Sequence, residues 1–417
     1  MRLTRRNLLR SAAALGAVAA FPTASRAENV FDMFARNQVL KNTDRSGNTS
    51  AALSTLETNE PILSIDTANN LQAAIAQYQP FVAAGGWAQL PKEVYGLILG
   101  NSRQAVIDLK RRLMSSGDLP PDKNGNDLFD GDLDKAVRTF QARHGLKVTG
   151  KIDEPTFYAL QVPAESRLNQ LQLNLTRVQN IASSLSDSYV VVNIPAATIE
   201  VIEGGVVSQR HIAIVGRIDR PTPILKSKIT QINFNPFWHV PKSIIEKDLI
   251  REMTEDPGYL AKFHIRAYNG KGKEVQPTDI DWTTKDALNY SFTQDPGAEN
   301  SMGHVKINFP SPDDVYLHDT PAKDLFAEDA RFDSSGCIRV QDVDQLVAWL
   351  LTPNGGWDLD AVHAAFDNNE RLDVAVKKPA PLHSTYITAW ANRQGTVSFR
   401  DDVYQYDAAG KTTFDTV

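Results

Sequence analysis

A chain of 417 residues with a single cysteine, Cys337, cannot hold its fold together with an internal disulfide. Long apolar runs are also missing. Beyond the first 27 residues, nothing approaches the roughly 18–20 consecutive apolar residues that cross a bilayer as a helix. Basic charge is scarce: outside residues 1–27, 39 Lys and Arg stand against 50 Asp and Glu, a net of −11. That sign argues against nucleic acid or anionic lipid as the main partner. The eight histidines do not fall with cysteine or carboxylates at metal-ligand spacing, so neither a metal nor a cofactor is expected. Internal repeats and low-complexity segments are absent as well.

What is present begins with MRLTRRNLLRSAAALGAVAAFPTASRA, where Arg5-Arg6 precede an apolar run from Leu8 to Phe21 and a small-residue exit ends at Ala27. The run has no polar face, as an amphipathic helix would, and reads as a twin-arginine secretory signal. Cleavage after Ala27 would leave 390 residues with no membrane span, enough for two or three domains.

From Asn29 to Gly100 the pattern is helical, with Leu71, Ile75 and Tyr78 at helical spacing. Val106, Leu109 and Leu113 then share one helix face and Leu133, Val137 and Phe140 another, with Gly145 and Gly150 in the turns that follow. This stretch, with AVRTFQARHGL and GKIDEPTFYAL, resembles the three-helix peptidoglycan-binding module. A connecting helix carries Leu168, Leu171, Leu175 and Val178 on one face. At Tyr189 the period changes to two: YVVVNIP, TIEVIEGGVVSQRHIAIVG and KITQINFNPFWHVP read as strands, with a hairpin turn at Gly204-Gly205. Helical and loop character returns between Val240 and Gly303, an insertion of the size that often forms a lid. Strand character resumes at HVKINFP and DDVYLHDT, and the tail adds a helix and further strands.

In DDVYLHDT, alternation places Tyr316 and His318 on one face and Val315 and Leu317 on the other. The chain returns at Gly336-Cys337. A thiol of ordinary pKa, about 8.5, is mostly protonated at neutral pH, so as a nucleophile it needs a base or a cation beside it, and a histidine can serve as either. The N–H groups of Gly336 and Cys337 could form an oxyanion hole. Arg339 could bind a substrate carboxylate or brace the loop. Asp342, with Gln345 three residues on, is a plausible N-cap for the helix VDQLVAWLL. From these residues alone, a Cys-His pair and an inert buried cysteine remain equal alternatives. The other histidines (His144, His211, His239, His264, His304, His363 and His383) read better as packing or surface residues.

YLHDTP followed by SSGCIRV resembles the signature of the L,D-transpeptidases with a YkuD-type catalytic domain. VGRIDRPTP, INFNPFWHVP, PTDIDW and YITAWANRQGTVSFRDDVY are similar to the large, cap-bearing YcbB-like subfamily. The resemblance implies an α+β, multidomain chain. Its expected parts are a twin-arginine signal at 1–27, a helical scaffold at 28–99, a peptidoglycan-binding module at 100–163 and a connecting helix at 164–187. A mostly β catalytic domain follows at 188–352, with a lid at about 243–297, and a C-terminal segment at 353–417 completes it.

The resemblance makes Cys337 the nucleophile and His318 the proton donor and acceptor, with Ser335, Gly336 and Arg339 on the active-site loop. Ser335 stands where the commonest form of the motif has histidine. The implied reaction is periplasmic: a cysteinyl thioester forms on a peptidoglycan tetrapeptide stem with release of D-alanine, and a neighbouring stem's amine then attacks to give a 3→3 cross-link. Water, a free D-amino acid or an envelope protein as acceptor would instead make the same residues a carboxypeptidase, an exchange enzyme or an anchoring enzyme. A non-catalytic wall-binding protein is the alternative from another class.

Overall fold

The computed structural model describes residues 58–123 and 125–413; the expected signal segment 1–27 and residues 28–57 of the expected scaffold lie outside the described residues. The first helix, Ile65–Ala83, starts where the Ser64 hydroxyl accepts the Thr67 N–H at 3.0 Å, satisfying one of the donors that every helix start leaves open. Its apolar face (Leu71, Ala74, Ile75, Tyr78) packs with Leu168, Leu171 and Val178 of the helix Ala164–Ala182.

Between them lie the helices Gln104–Ser115, Gly131–Arg143 and Glu154–Gln161 around Val106, Leu109, Leu113, Leu133, Val137, Phe140 and Ile152. Asp130 and Asp153 cap the second and third of these. The module does not hang free. Arg143 forms a buried two-pronged pair with Asp118, both contacts at 2.6 Å, and donates to the Val397 carbonyl at 3.0 Å. Beside it, His144 stacks between Phe140 and Phe399.

The β region opens with β1 (Ser188–Asn193), β2 (Thr198–Glu203), β3 (Val206–Gly216) and β4 (Leu225–Phe234). A cap holding β5 (Trp238–His239), β6 (Ile265–Tyr268), β7 (Glu274–Val275) and β8 (Ser291–Gln294) interrupts it. The domain resumes with β9 (Val305–Asn308), β10 (Leu317–His318), β11 (Phe332–Ser334), β12 (Ile338–Val340) and β13 (Leu372–Thr385). The sheet runs β11-β3-β12-β10-β9-β4-β13-β1-β2, and because β2 also pairs with β3 it closes on itself, leaving few open edges. Inside sit Val190, Val192, Ile232, Ile307, Leu317, Ile338 and Val340, covered by the helices Val343–Leu351 and Leu359–Asp367. The outer face of β1 meets the scaffold through Tyr189 and Val191, which is why YVVV is apolar at every position rather than at alternate ones.

The cap is more than helices and loops. Its strands form a four-stranded sheet, β5-β8-β6-β7, around a core of its own that includes Trp238, Leu249, Met253, Leu260, Phe263 and Phe292. Its leading helical segment is Lys242–Ile244, then a π-helical turn at Ile245–Leu249, then Ile250–Glu255. Within the tail, β13 lies between β4 and β1, so the closed sheet requires it. The hairpin of β14 (Ala389–Ala391) and β15 (Val397–Phe399) packs instead on the scaffold helices.

Candidate active site

Strands β10 and β12 run parallel, with Leu317 opposite Ile338 and His318 opposite Arg339, and β9 on the other side places Lys306 opposite His318. Leu317, Ile338, Ile307 and Val340 point into the barrel core. Alternation therefore turns Lys306, Tyr316, His318, Cys337 and Arg339 to the outer face. The cap covers this face, and Tyr316 packs against the cap's core.

His318 is buried, and its Nδ1 lies 2.5 Å from the carbonyl oxygen of Asp319. A carbonyl only accepts, so Nδ1 carries the proton and Nε2 is left as the basic nitrogen. The Asp319 carboxylate accepts from the His304 N–H at 3.0 Å and pairs with Lys323, which fixes the backbone that orients the ring. Burial, with Arg339 adding to it, pushes the His318 pKa down to about 3, so the ring is neutral. The neutral ring is not the cation that would stabilise a thiolate.

Cys337 is half-buried, and burial pushes its thiol above the ordinary value. Hydrogen bonding from Tyr316 and the charges of Lys306 and Arg339 act in the opposite direction. The Tyr316 phenol is held well above its usual pKa, first by burial and then by the thiol, so it stays protonated and able to donate. The Lys306 ammonium lies 4.1 Å from the centre of the Tyr316 ring. Arg339 is buried; that burial lowers its pKa to about 10, and Asp333 supports its charge. This position suits bracing the loop better than meeting a substrate.

Gly336 has φ +114°, a conformation that side chains disfavour. Its N–H, expected to face a substrate carbonyl, donates instead to Ser334 Oγ at 3.1 Å, and its carbonyl accepts from Thr222 Oγ1 at 2.8 Å. Both polar groups of this peptide are used within the protein because the loop makes its bend through them. Ser335 Oγ accepts from Arg220 at 2.8 Å.

Residues 187–370 match the family model "L,D-transpeptidase catalytic domain", YkuD, and residues 102–160 match "Putative peptidoglycan binding domain". The chain carries a YkuD-family L,D-transpeptidase catalytic domain. A protein of Haemophilus influenzae named "Putative L,D-transpeptidase" is 32% identical over 245 residues, which is 58% of this chain and 49% of that protein. The chain thus spans about half the length of the curated relative it matches. Among solved structures, an L,D-transpeptidase from Mycobacterium smegmatis is 15% identical, with 48% of this chain and 58% of that chain covered and a TM-score of 0.24. One from Xylanimonas cellulosilytica is 13% identical, with 70% and 98% covered and a TM-score of 0.23.

In this YkuD-type domain the residues outside the signature are the ones that pattern reading missed. Lys306 reaches the site only through strand register, and Trp238, hydrogen-bonded to Tyr316, only through cap placement, whereas Tyr316 was legible as a face-mate of His318. Asp342 does precede its helix, but at φ +48° its side chain makes no capping bond, so the expected N-cap is not formed. Of the remaining histidines, His211 binds the Gln341 carbonyl, His363 pairs with Asp344, and His304 stacks on Phe366.

Proposed function

We propose that this protein is a peptidoglycan L,D-transpeptidase that forms 3→3 cross-links through a thioester on Cys337. The observation that carries the reading is the fixed tautomer of His318, a buried neutral imidazole with its basic nitrogen free on the face that holds the thiol.

The thiol proton passes to His318 Nε2 as Sγ attacks the carbonyl carbon of the third stem residue. The imidazolium returns that proton to the departing amine of D-alanine, leaving a thioester. The amine of a neighbouring stem attacks next, His318 takes its proton, and expulsion of the thiolate, followed by proton return, restores the starting state. Because the Gly336 N–H is engaged by Ser334, the developing oxyanion is assigned to the Cys337 N–H with the Tyr316 hydroxyl beside it. The cap shields the thioester from water until the amine arrives. Both matched domains belong to peptidoglycan-acting families, which supports a site of action outside the cytoplasm by way of the N-terminal signal. Among the described residues no helix is long and apolar enough to cross a membrane.

The test incubates wild-type, Cys337→Ala and His318→Asn proteins with disaccharide-tetrapeptide muropeptides and follows products by mass. Wild type should give a dimer lighter by one D-alanine, and a carbapenem should add once to Cys337. Both variants should lose the dimer. A tripeptide product would reassign the enzyme as a carboxypeptidase, and cross-linking by Cys337→Ala would end the proposal.

A further inference from the structure

The turn that follows β3 forms the outer wall of the cysteine loop. Arg220 N–H closes the turn on the Arg217 carbonyl at 3.0 Å, and the Arg217 N–H donates to the Ser334 carbonyl at 3.0 Å. Thr222 Oγ1 accepts from the Gly216 N–H and donates to the Gly336 carbonyl, each at 2.8 Å. Three consecutive residues beside the thiol, Ser334 to Gly336, are therefore gripped by this one turn. The third grip is the Arg220 guanidinium on Ser335 Oγ.

That guanidinium also reaches the cap. It makes a two-pronged pair with Asp248, at 2.5 and 3.0 Å, with the two side chains only 9% and 4% exposed. Asp248 sits in the π-helical turn Ile245–Leu249, an irregularity of a kind often found at functional sites. A dry, bidentate pair of this type is geometrically demanding, and removing one partner strands a buried charge. None of these side chains takes part in the acyl-transfer steps above.

We infer that Arg220 is a positioning residue that transmits the seating of the cap, through Asp248, to the loop carrying Cys337. With Asp248 in place, Arg220 is aimed at Ser335 and the loop holds the thiol against Tyr316, on the face that also carries His318. When the cap lifts, Asp248 leaves, the guanidinium loses its aim, and the thiol drifts from its base. Acylation is then tied to a closed cap. Ser335, the departure from the usual histidine, is the short acceptor that completes the link. The effect on acylation rests on the transpeptidase reading; the ordering of the loop does not.

The experiment compares wild type, Asp248→Asn, Ser335→Ala and the double variant in the full chain. Amide hydrogen exchange is read over residues 334–338, together with the rates of Cys337 alkylation by iodoacetamide and acylation by a carbapenem. Each single variant should speed exchange in this loop and slow acylation about 10- to 100-fold, the scale of a misplacement of about 1 Å. The double variant should be no worse than the stronger single one, because both break the same link. Arg220→Lys should retain more acylation than Arg220→Ala.

Should Asp248→Asn fail to fold, the apolar pair Arg220→Met with Asp248→Leu removes the link without stranding a charge. It should show the same fast exchange. Unchanged exchange in Asp248→Asn or in the apolar pair, or additive effects in the double variant, overturns the inference. If wild type takes up no carbapenem, the transpeptidase reading fails while the exchange arm still decides the coupling.

Discussion

Alanine at Gly336 separates backbone strain from crowding. An added Cβ would stand 3.8 Å from the Pro221 oxygen and from Val315 Cγ2, ordinary contact distances, so space is not the obstacle. The obstacle is φ +114°. Holding a side chain in so sparsely populated a conformation costs about 1–3 kcal/mol. Rotating to negative φ avoids that but gives up the hydrogen bonds to Ser334 or Thr222, each worth about 0.5–1.5 kcal/mol net. Either route destabilises by a similar amount, and at about 2–4 °C per kcal/mol for a unit of this size, Tm should fall roughly 2–10 °C. The rotation route also moves the thiol, so carbapenem acylation followed by intact mass should slow about 10- to 100-fold. Gly355 is the control: φ is +76° with nothing within 4 Å of an added Cβ, and it lies in the turn after the helix Val343–Leu351. Gly355→Ala should lower Tm comparably and leave acylation intact. Wild-type acylation in Gly336→Ala, or equal losses in both variants, would refute the reasoning.

Three further outcomes follow from electrostatics and burial. Because burial raises the Cys337 thiol and keeps His318 neutral, thiolate is scarce at neutral pH; alkylation by iodoacetamide should climb steadily as pH rises to about 9 and beyond. A plateau at about pH 6–7, the mark of a resting thiolate–imidazolium pair, would contradict this. Lys306→Met removes a cation that favours the thiolate and should slow alkylation at fixed pH about 3- to 10-fold. Asp118→Ala leaves Arg143 buried without its carboxylate and should cost about 3–5 kcal/mol in denaturant melts, with Cys337 acylation preserved. A loss below about 1 kcal/mol would mean that the pair adds little to the module's stability.

The site's centre was legible because it is local. Alternation over Val315–His318 put the aromatic ring and the imidazole on one face, and the register of β10 with β12 carries the same alternation to Cys337. What escaped depends on distance along the chain. Lys306 is opposite His318 only through the pairing of β9 with β10, and Asp248 meets Arg220 only because the cap folds back over the barrel. The cap's sheet was missed because its strands are two to four residues long, too short to establish a period. The Gly336 N–H was misread for a different reason: whether a loop amide faces a ligand or a neighbouring hydroxyl is decided by ψ and side-chain placement, which residue types alone do not specify.

The grip of Arg143 and His144 on the β15 strand gives the chain the character of a caliper. One jaw is the three-helix module and the other is the cysteine face. The bar between them is packed side chains rather than a tether, so anything held by the first jaw is presented to the second at a set spacing. Lengthening the chain between the jaws would not widen their reach; only loosening the bar would.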